Sequence, residues 1–130
     1  MARKILVLIF AMCLLLLPIL GQAQSTITLT VHVIIPLEAS SKFASVAIFP
    51  YGPEAQAYHD CLLAQGHSKS CRMPATPNIN YAVQDGTSAY FSNLLPGRYL
   101  LVGDLVSDDL TRMGWLIVPD RNDVTINFGN

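Results

Sequence analysis

The chain has 130 residues, with 8 Lys and Arg against 9 Asp and Glu and a formal net charge of −1 at pH 7. This length suits one domain with a single hydrophobic core and is too short for two. The sequence contains no run of lysine or arginine. Because binding to phosphates needs clustered cations, the composition argues against nucleic acid as a partner.

The N-terminus has the features of a secretory signal peptide. Arg3 and Lys4 precede an apolar run from Ile5 to Leu20, and Gly21-Gln22-Ala23 places small residues where a signal peptidase cleaves. The run is shorter than the about 20 residues that a bilayer span requires. We therefore predict a signal peptide over 1–23, with an uncleaved membrane anchor as the alternative. Cleavage would release a secreted or periplasmic domain, 24–130, with no remaining membrane attachment.

Two strands open this domain. Residues 26 to 35 alternate between apolar and polar side chains, which predicts a half-buried strand that ends at Pro36. Residues 43 to 49 predict a second strand, which the Pro50-Tyr51-Gly52 sequence stops. Its predicted core-facing side chains are Ala44, Val46 and Ile48.

Residues 51–78 interrupt the strand pattern and are predicted to form an insert. Pro53 at the first helical position and Gly66 after the last one predict a helix of about three turns over 54–65. One face of this helix would carry Ala55, Tyr58 and Leu62. The serines and prolines of 67–78 predict a loop.

The strand pattern then resumes to the end of the chain. Asp85-Gly86 predicts a turn, and the Pro96-Gly97 turn within 91–101 predicts a hairpin. In the strand over 113–118, Met113, Trp115 and Ile117 share one face, which we assign to the core. A last strand carries Val124, Ile126 and Phe128. The predicted core comprises Leu29, Val31, Val33, Val46, Ile48, Phe91, Leu94, Tyr99, Leu101, Trp115, Ile117 and Ile126.

Short strands at regular spacing predict an all-β fold, a single seven-stranded Greek-key β-sandwich with one short helix-plus-loop insert. The order of Ser45–Phe49, the Asp85-Gly86 turn, Phe91–Tyr99 and Val124–Ile126 resembles the carboxypeptidase regulatory-like family of prealbumin-like sandwiches. Collagen-adhesin B-type and starch-binding-like domains share that architecture. The resemblance implies a binding or structural accessory role rather than catalysis. The chain also has no Gly-x-Ser-x-Gly elbow, so we predict no enzymatic activity and no cofactor.

The cysteines allow two interpretations. Signal cleavage would remove Cys13 and leave Cys61 and Cys71, and an even number in an exported chain favours a disulfide. The alternative is a zinc or copper site, because thiolates and imidazoles are ligands of both metals. Its ligand set would be His59, Cys61, His67 and Cys71.

Exposed aromatic side chains are the candidates for ligand contact. Tyr51 lies at the entrance of the insert, and Tyr90 is out of phase with Ala89 and Phe91, so both are predicted to face solvent. Aromatic rings stack on sugars, and a cell-surface glycan is therefore one predicted partner. A protein that pairs with an exposed strand edge is the other.

Overall fold

The computed structural model describes residues 26–75 and 79–129. The predicted signal peptide, 1–23, and residues 76–78 of the insert lie outside this range. The elements in chain order are β1 (Ile27–Ile34), β2 (Phe43–Pro50), α1 (Pro53–Gln65), β3 (Ile79–Gln84), β4 (Ser88–Leu94), β5 (Gly97–Leu105), a short 3-10 helix (Val106–Asp108), β6 (Leu110–Val118) and β7 (Asp123–Asn127). Among the described residues, no helix has the length and apolar character needed to span a bilayer.

The seven strands form two sheets. The smaller sheet has the order β4-β1-β7, in which β1 is antiparallel to β4 and parallel to β7. The larger sheet has the order β3-β2-β5-β6 and is antiparallel throughout. The sandwich-like arrangement of two sheets and one short helix confirms the predicted all-β class.

The main hydrophobic core lies between the sheets. Each sheet contributes the side chains of one strand face, so the alternation of apolar residues along the strands fixes which face is inside. The most deeply buried members are Leu29, Val31, Val33, Ala44, Val46, Ile48, Phe91, Leu105 and Val118. Leu94, Leu101 and Ile126 are also buried, as predicted, and Tyr99 packs against this core as a partly buried side chain.

The predicted hairpin over 91–101 is wrong. Strand β4 belongs to the smaller sheet and β5 to the larger one, so the turn at Pro96 carries the chain from one sheet to the other. The Tyr99 hydroxyl donates a hydrogen bond of 2.7 Å to the Leu95 carbonyl across this turn. Pro-Gly chemistry specifies that the chain reverses, but it does not specify whether the two strands pair.

The predicted core face of β6 is also wrong. Leu116 and Val118 face the core, whereas Trp115 packs against the opposite side of the sheet and the Ile117 side chain is 53% exposed. Residues 113–118 are apolar at every position except Gly114. Such a run carries no alternation from which the buried face can be identified.

The predicted helix is confirmed at both ends. Pro53 occupies the first turn, where its missing N–H costs no hydrogen bond. Gly66 ends the helix in the left-handed conformation, with φ of 78°, and its N–H bonds to the Leu62 carbonyl at 2.8 Å. The predicted face, Ala55, Tyr58 and Leu62, is buried against the larger sheet.

Candidate functional site

The structure separates the two tyrosines that the sequence singled out. Tyr90 is 61% exposed and lies on the outer face of the smaller sheet, between the core-facing residues Ala89 and Phe91. Tyr51 is 56% exposed, and its ring contacts Trp115 on the outer face of the larger sheet. The two rings therefore lie on opposite sides of the sandwich and cannot bind one small ligand together.

Helix α1 covers part of the outer face of the larger sheet. The buried side chains beneath the helix form a second, smaller core, in which the rings of Phe49 and Tyr58 meet edge to face at 5.5 Å. Burial disfavours the phenolate and raises the pKa of Tyr58, and the nearby Asp104 carboxylate raises it further. Tyr58 therefore packs as a neutral ring. The other members of this core are Ala47, Ala55, Leu62, Leu100 and Val102.

An aromatic–arginine cluster lies beside the helix on the same face. We define it as Tyr51, His59, Arg98 and Trp115. The Arg98 guanidinium carbon lies 4.6 Å from the centre of the Trp115 ring and 5.0 Å from that of Tyr51. The Tyr51 and Trp115 rings are 5.6 Å apart, and the His59 ring is 5.4 Å from Trp115. Cation–π contacts of this kind contribute about 0.5–1 kcal/mol at exposed sites.

Arg98 is held by rings rather than by a negative charge. Its side chain is exposed, and none of the ion pairs found in residues 26–75 and 79–129 includes it. The two aromatic contacts restrict the guanidinium without using its hydrogen-bond donors for a carboxylate. Such an arrangement leaves the planar fork of N–H groups available to an external anion.

The cluster borders a cleft along strand β6. This cleft, of about 490 Å³, is lined by Arg98, Trp115 and Arg121 together with the exposed Ile117 side chain and one carboxylate, that of Asp120. We refer to Tyr51, Arg98, Trp115, Ile117 and Arg121 as the β6 side. It combines exposed apolar surface with two arginines, which is a composition typical of interaction sites.

The two open edges of the sandwich differ. At one edge, the Tyr81 ring of β3 contacts the Phe91 ring of β4, with centres 5.1 Å apart. At the other edge, a cleft of about 350 Å³ separates β6 from β7. Core residues Leu101, Leu116 and Ile126 line this cleft. The β6 edge thus has a cleft on each side.

The insert is tied to the sheet at several points. Cys61 of the helix and Cys71 of the loop form the predicted disulfide, with an S–S distance of 2.02 Å. The Ser68 hydroxyl donates to the Asp104 carboxylate of β5, and Lys69 forms a 2.7 Å ion pair with Asp109. The Ala75 N–H donates to the Glu54 carboxylate at 2.7 Å, which returns the loop to the start of the helix.

The alternative metal set is not assembled. Both sulfur atoms are joined in the disulfide and offer no thiolate. The Nδ1 atom of His59 lies 3.0 Å from Asp60, and this contact, with a hydrogen bond from Gln56, lowers the pKa of the Asp60 carboxyl. Nδ1 of His67 is buried and has no hydrogen-bond partner among the described residues. No group of three or more metal-binding side chains exists among the described residues.

A polar chain on the smaller sheet was not foreseen from the sequence. His32 of β1 lies between Ser88 of β4, at 2.6 Å from Nδ1, and Asp123 of β7, at 3.0 Å from Nε2. Ser, His and Asp are also the residue types of hydrolase triads. Here the imidazole is 44% and the carboxylate 65% exposed, so water competes at both contacts. We interpret this series of side-chain contacts as a link between strands β4, β1 and β7.

Arg98 and Trp115 were missed as site residues because their partnership depends on strand register. Arg98 lies opposite Ile117, and Leu100 lies opposite Trp115, in the β5–β6 pairing. A sequence does not reveal this register unless the faces of both strands are known. The one available signal was an arginine next to a predicted turn, which is common on any surface.

Comparisons of this chain with protein-family models, with curated proteins and with solved structures found no match. The geometry of the β6 side is therefore the basis on which a function can be proposed.

Proposed function

We propose that this protein is an exported, non-catalytic binding module that contacts its partner through the β6 side. The observation that carries the proposal is Arg98, an exposed cation that two aromatic rings hold in place and no described carboxylate neutralises. A fixed charge beside exposed apolar surface contributes little to folding. It is the arrangement that binding sites use to fix orientation and specificity.

Export is the second part of the proposal. The residues before Gln24 have the composition of a cleaved signal peptide. The Cys61–Cys71 disulfide is the form that cysteines take in the periplasm or outside the cell. The mature domain would then act as a secreted or periplasmic accessory protein.

The third part concerns the fold family. We assign the two sheets to a prealbumin-like Greek-key sandwich of the carboxypeptidase regulatory-like type, whose members serve mostly as accessory modules. The seven strands in two sheets agree with this assignment at the level of architecture. Helix α1 of the insert covers part of the larger sheet and, through His59, contributes to the proposed binding cluster.

Site-specific photo-crosslinking in the native host tests the proposed binding surface. A photoreactive phenylalanine analogue would replace Tyr51 or Ile117 on the β6 side, and Tyr90 on the opposite face as the matched exposed control. We expect discrete adducts from the first two positions and none from position 90. Adducts from position 90 at equal yield, or none from either β6-side position, would overturn the proposal.

A further inference from the structure

Strand β6 is an edge strand with limited protection against pairing. It is nine residues long, ends the larger sheet and contains neither lysine nor proline. Its one charged residue, Arg112, lies opposite Gly103 on the core-facing side, and the Ile117 carbonyl accepts a hydrogen bond of 2.9 Å from the Arg121 N–H. Natural sheets commonly protect such edges with inward-pointing charges, proline or a covering segment. In the part of the chain that the structure describes, α1 packs on the face of this sheet, and β6 keeps a cleft on each side.

The side chains along this edge are suited to a strand with alternating character. Trp115 is partly buried beside α1, and Ile117, the next residue on the same face, is 53% exposed. Leu116 points to the other side and lines both clefts. An added strand would therefore meet apolar surface on each of its faces, as peptides do when they extend a sheet.

The charges near the edge favour an acidic partner. Arg98 and Arg121 line the cleft on the helix side, where Asp120 is the one acidic lining residue. Neither arginine takes part in an ion pair among the described residues, and the Arg98 fork is held between two rings. A carboxylate can accept two parallel hydrogen bonds from such a fork.

We propose that the partner of the β6 side is an extended, acidic polypeptide segment that pairs with β6 as an additional strand and places a carboxylate on Arg98. This inference rests on the proposed function and specifies the chemistry of its ligand. Backbone hydrogen bonds along β6 supply affinity, and the Arg98–carboxylate contact supplies register and charge selectivity.

A glycan fits the same surface less well. The Trp115 ring already contacts Arg98, Tyr51 and His59, which leaves little ring surface for stacking on a sugar. Tyr90, the other candidate for sugar contact, lies on the opposite face of the sandwich. A free edge strand offers nothing specific to a sugar, whereas it offers a peptide a row of backbone groups that extends to Ile117, whose carbonyl already accepts from the Arg121 N–H.

Trp115 provides the readout, because it is the only tryptophan of the chain. The full mature protein would be titrated with a synthetic peptide of about ten residues that alternates Glu and Val, a typical strand length. Lys would replace Glu in one control peptide, and alternate backbone N-methyl groups would block pairing in another. We expect saturable changes in Trp115 emission with the acidic peptide and none with either control.

Matched variants connect this binding to Arg98. We expect Arg98→Ala to lower the affinity for the acidic peptide by about tenfold or more, which corresponds to the loss of a charge-assisted hydrogen bond. Arg98→Lys keeps the charge without the planar fork and should fall in between. Arg72→Ala removes an exposed arginine of the insert that lines neither cleft of β6, and binding should be unchanged.

Three results would overturn the inference. One is equal binding of the acidic and lysine peptides. Another is undiminished binding of the N-methylated peptide. The third is the absence of any peptide binding. This result would overturn the inference whether or not the acidic glycan polygalacturonate shows saturable, Arg98-dependent binding. Crosslinks at Tyr51 and Ile117 in the native host would still uphold the proposed function in each case, whereas their absence would remove it.

Discussion

Both outer faces of the sandwich carry charged or titratable side chains, but the faces differ in how these groups are satisfied. On the smaller sheet, His32 is hydrogen-bonded to Ser88 and paired with Asp123, so the charged and polar groups balance one another. On the larger sheet, Arg98 has aromatic rings on two sides and no carboxylate partner in the described residues. This difference is the reason that we place the proposed binding surface on the larger sheet and not at the equally exposed Tyr90.

The faces also differ in what lies over them. Helix α1 turns part of the larger sheet's outer face into a second core, and the aromatic–arginine cluster lies at the border of that core. A cluster anchored on buried packing keeps its geometry before a ligand arrives, which lowers the entropy cost of binding. The smaller sheet has no such cover among the described residues.

The largest loss of stability should come from a substitution in the core beneath helix α1. Phe49 is fully buried there and contacts the Tyr58 ring, so Phe49→Ala should lower the free energy of unfolding by about 3–5 kcal/mol. Tyr90→Ala on the uncovered face should change it by less than about 0.5 kcal/mol. Urea denaturation measures both variants. Similar losses would show that the two faces do not differ in this way.

The disulfide should have the next largest effect. Joint replacement of Cys61 and Cys71 by Ala should cost about 2–3 kcal/mol, because the bridge spans a sequence separation of ten residues. Limited proteolysis should then cut the insert first, while the sheets stay protected. An unchanged cleavage pattern would mean that the contacts of Ser68, Lys69 and Glu54 hold the insert without the bridge.

Close packing of the two sheets can be tested at a glycine of β5. A Cβ atom on Gly103 would lie 2.9 Å from an Ile126 methyl group and 3.0 Å from the Phe128 ring. Gly103→Ala should therefore cost about 1–3 kcal/mol of unfolding free energy through overpacking. Gly114→Ala in β6 has no atom within 4 Å of the added group and serves as the control. Equal stabilities would contradict the observed separation of the sheets.

Removal of the His32 side chain from the smaller sheet should have a modest effect on the free energy of unfolding. We expect His32→Ala to cost about 0.5–1.5 kcal/mol, because water replaces contacts that are already partly exposed. A double-mutant cycle with Asp123→Ala should give a coupling of about 0.2–1 kcal/mol, the range of surface ion pairs. A coupling energy several times larger would indicate that the His32 contacts do more than join neighbouring strands at the surface.

The smallest effect on stability is expected from the contacts that anchor the loop after β1 to Asp108. The Ser40 N–H donates to Asp108, with a weaker contribution from Ser41, and these bonds lower the pKa of the Asp108 carboxyl below its ordinary value. The anchoring is therefore present above the unfolded pKa and is lost as pH falls through the folded one. Carbon-detected NMR titration of Asp108 measures the pKa directly. A pKa at or above that of an aspartate in an unfolded peptide, or unchanged Ser40 amide exchange in Asp108→Asn, would contradict the anchoring.

Local signals in the sequence predicted the parts of the fold that depend on local chemistry. Pro53 and Gly66 marked the helix ends, and the alternation of β1 and β2 identified their buried faces. The relation between strands was harder, since the turn at Pro96 serves equally well within a sheet and between sheets. The apolar run of β6 concealed its buried face, because α1 gives that strand apolar neighbours on both sides.

The candidate site was only partly predictable for the same reason. Tyr51 was identified by its exposure at the entrance of the insert, and the disulfide by the pairing of two cysteines. Arg98 and Trp115 come together through the β5–β6 register, and His59 reaches them through the docking of the helix. Contacts that depend on three separate elements have no signature in any one segment.

Quenching of Trp115 fluorescence by ions of opposite charge tests the central claim most directly. Trp115 is the only tryptophan, and Arg98 lies over its ring in a cleft that Arg121 also lines. We predict that iodide quenches the native protein more strongly than caesium at equal ionic strength, and that Arg98→Ala reduces this preference. No quenching by either ion would put Trp115 in the closed core, and a preference for caesium would exclude an anion-accepting site on the β6 side.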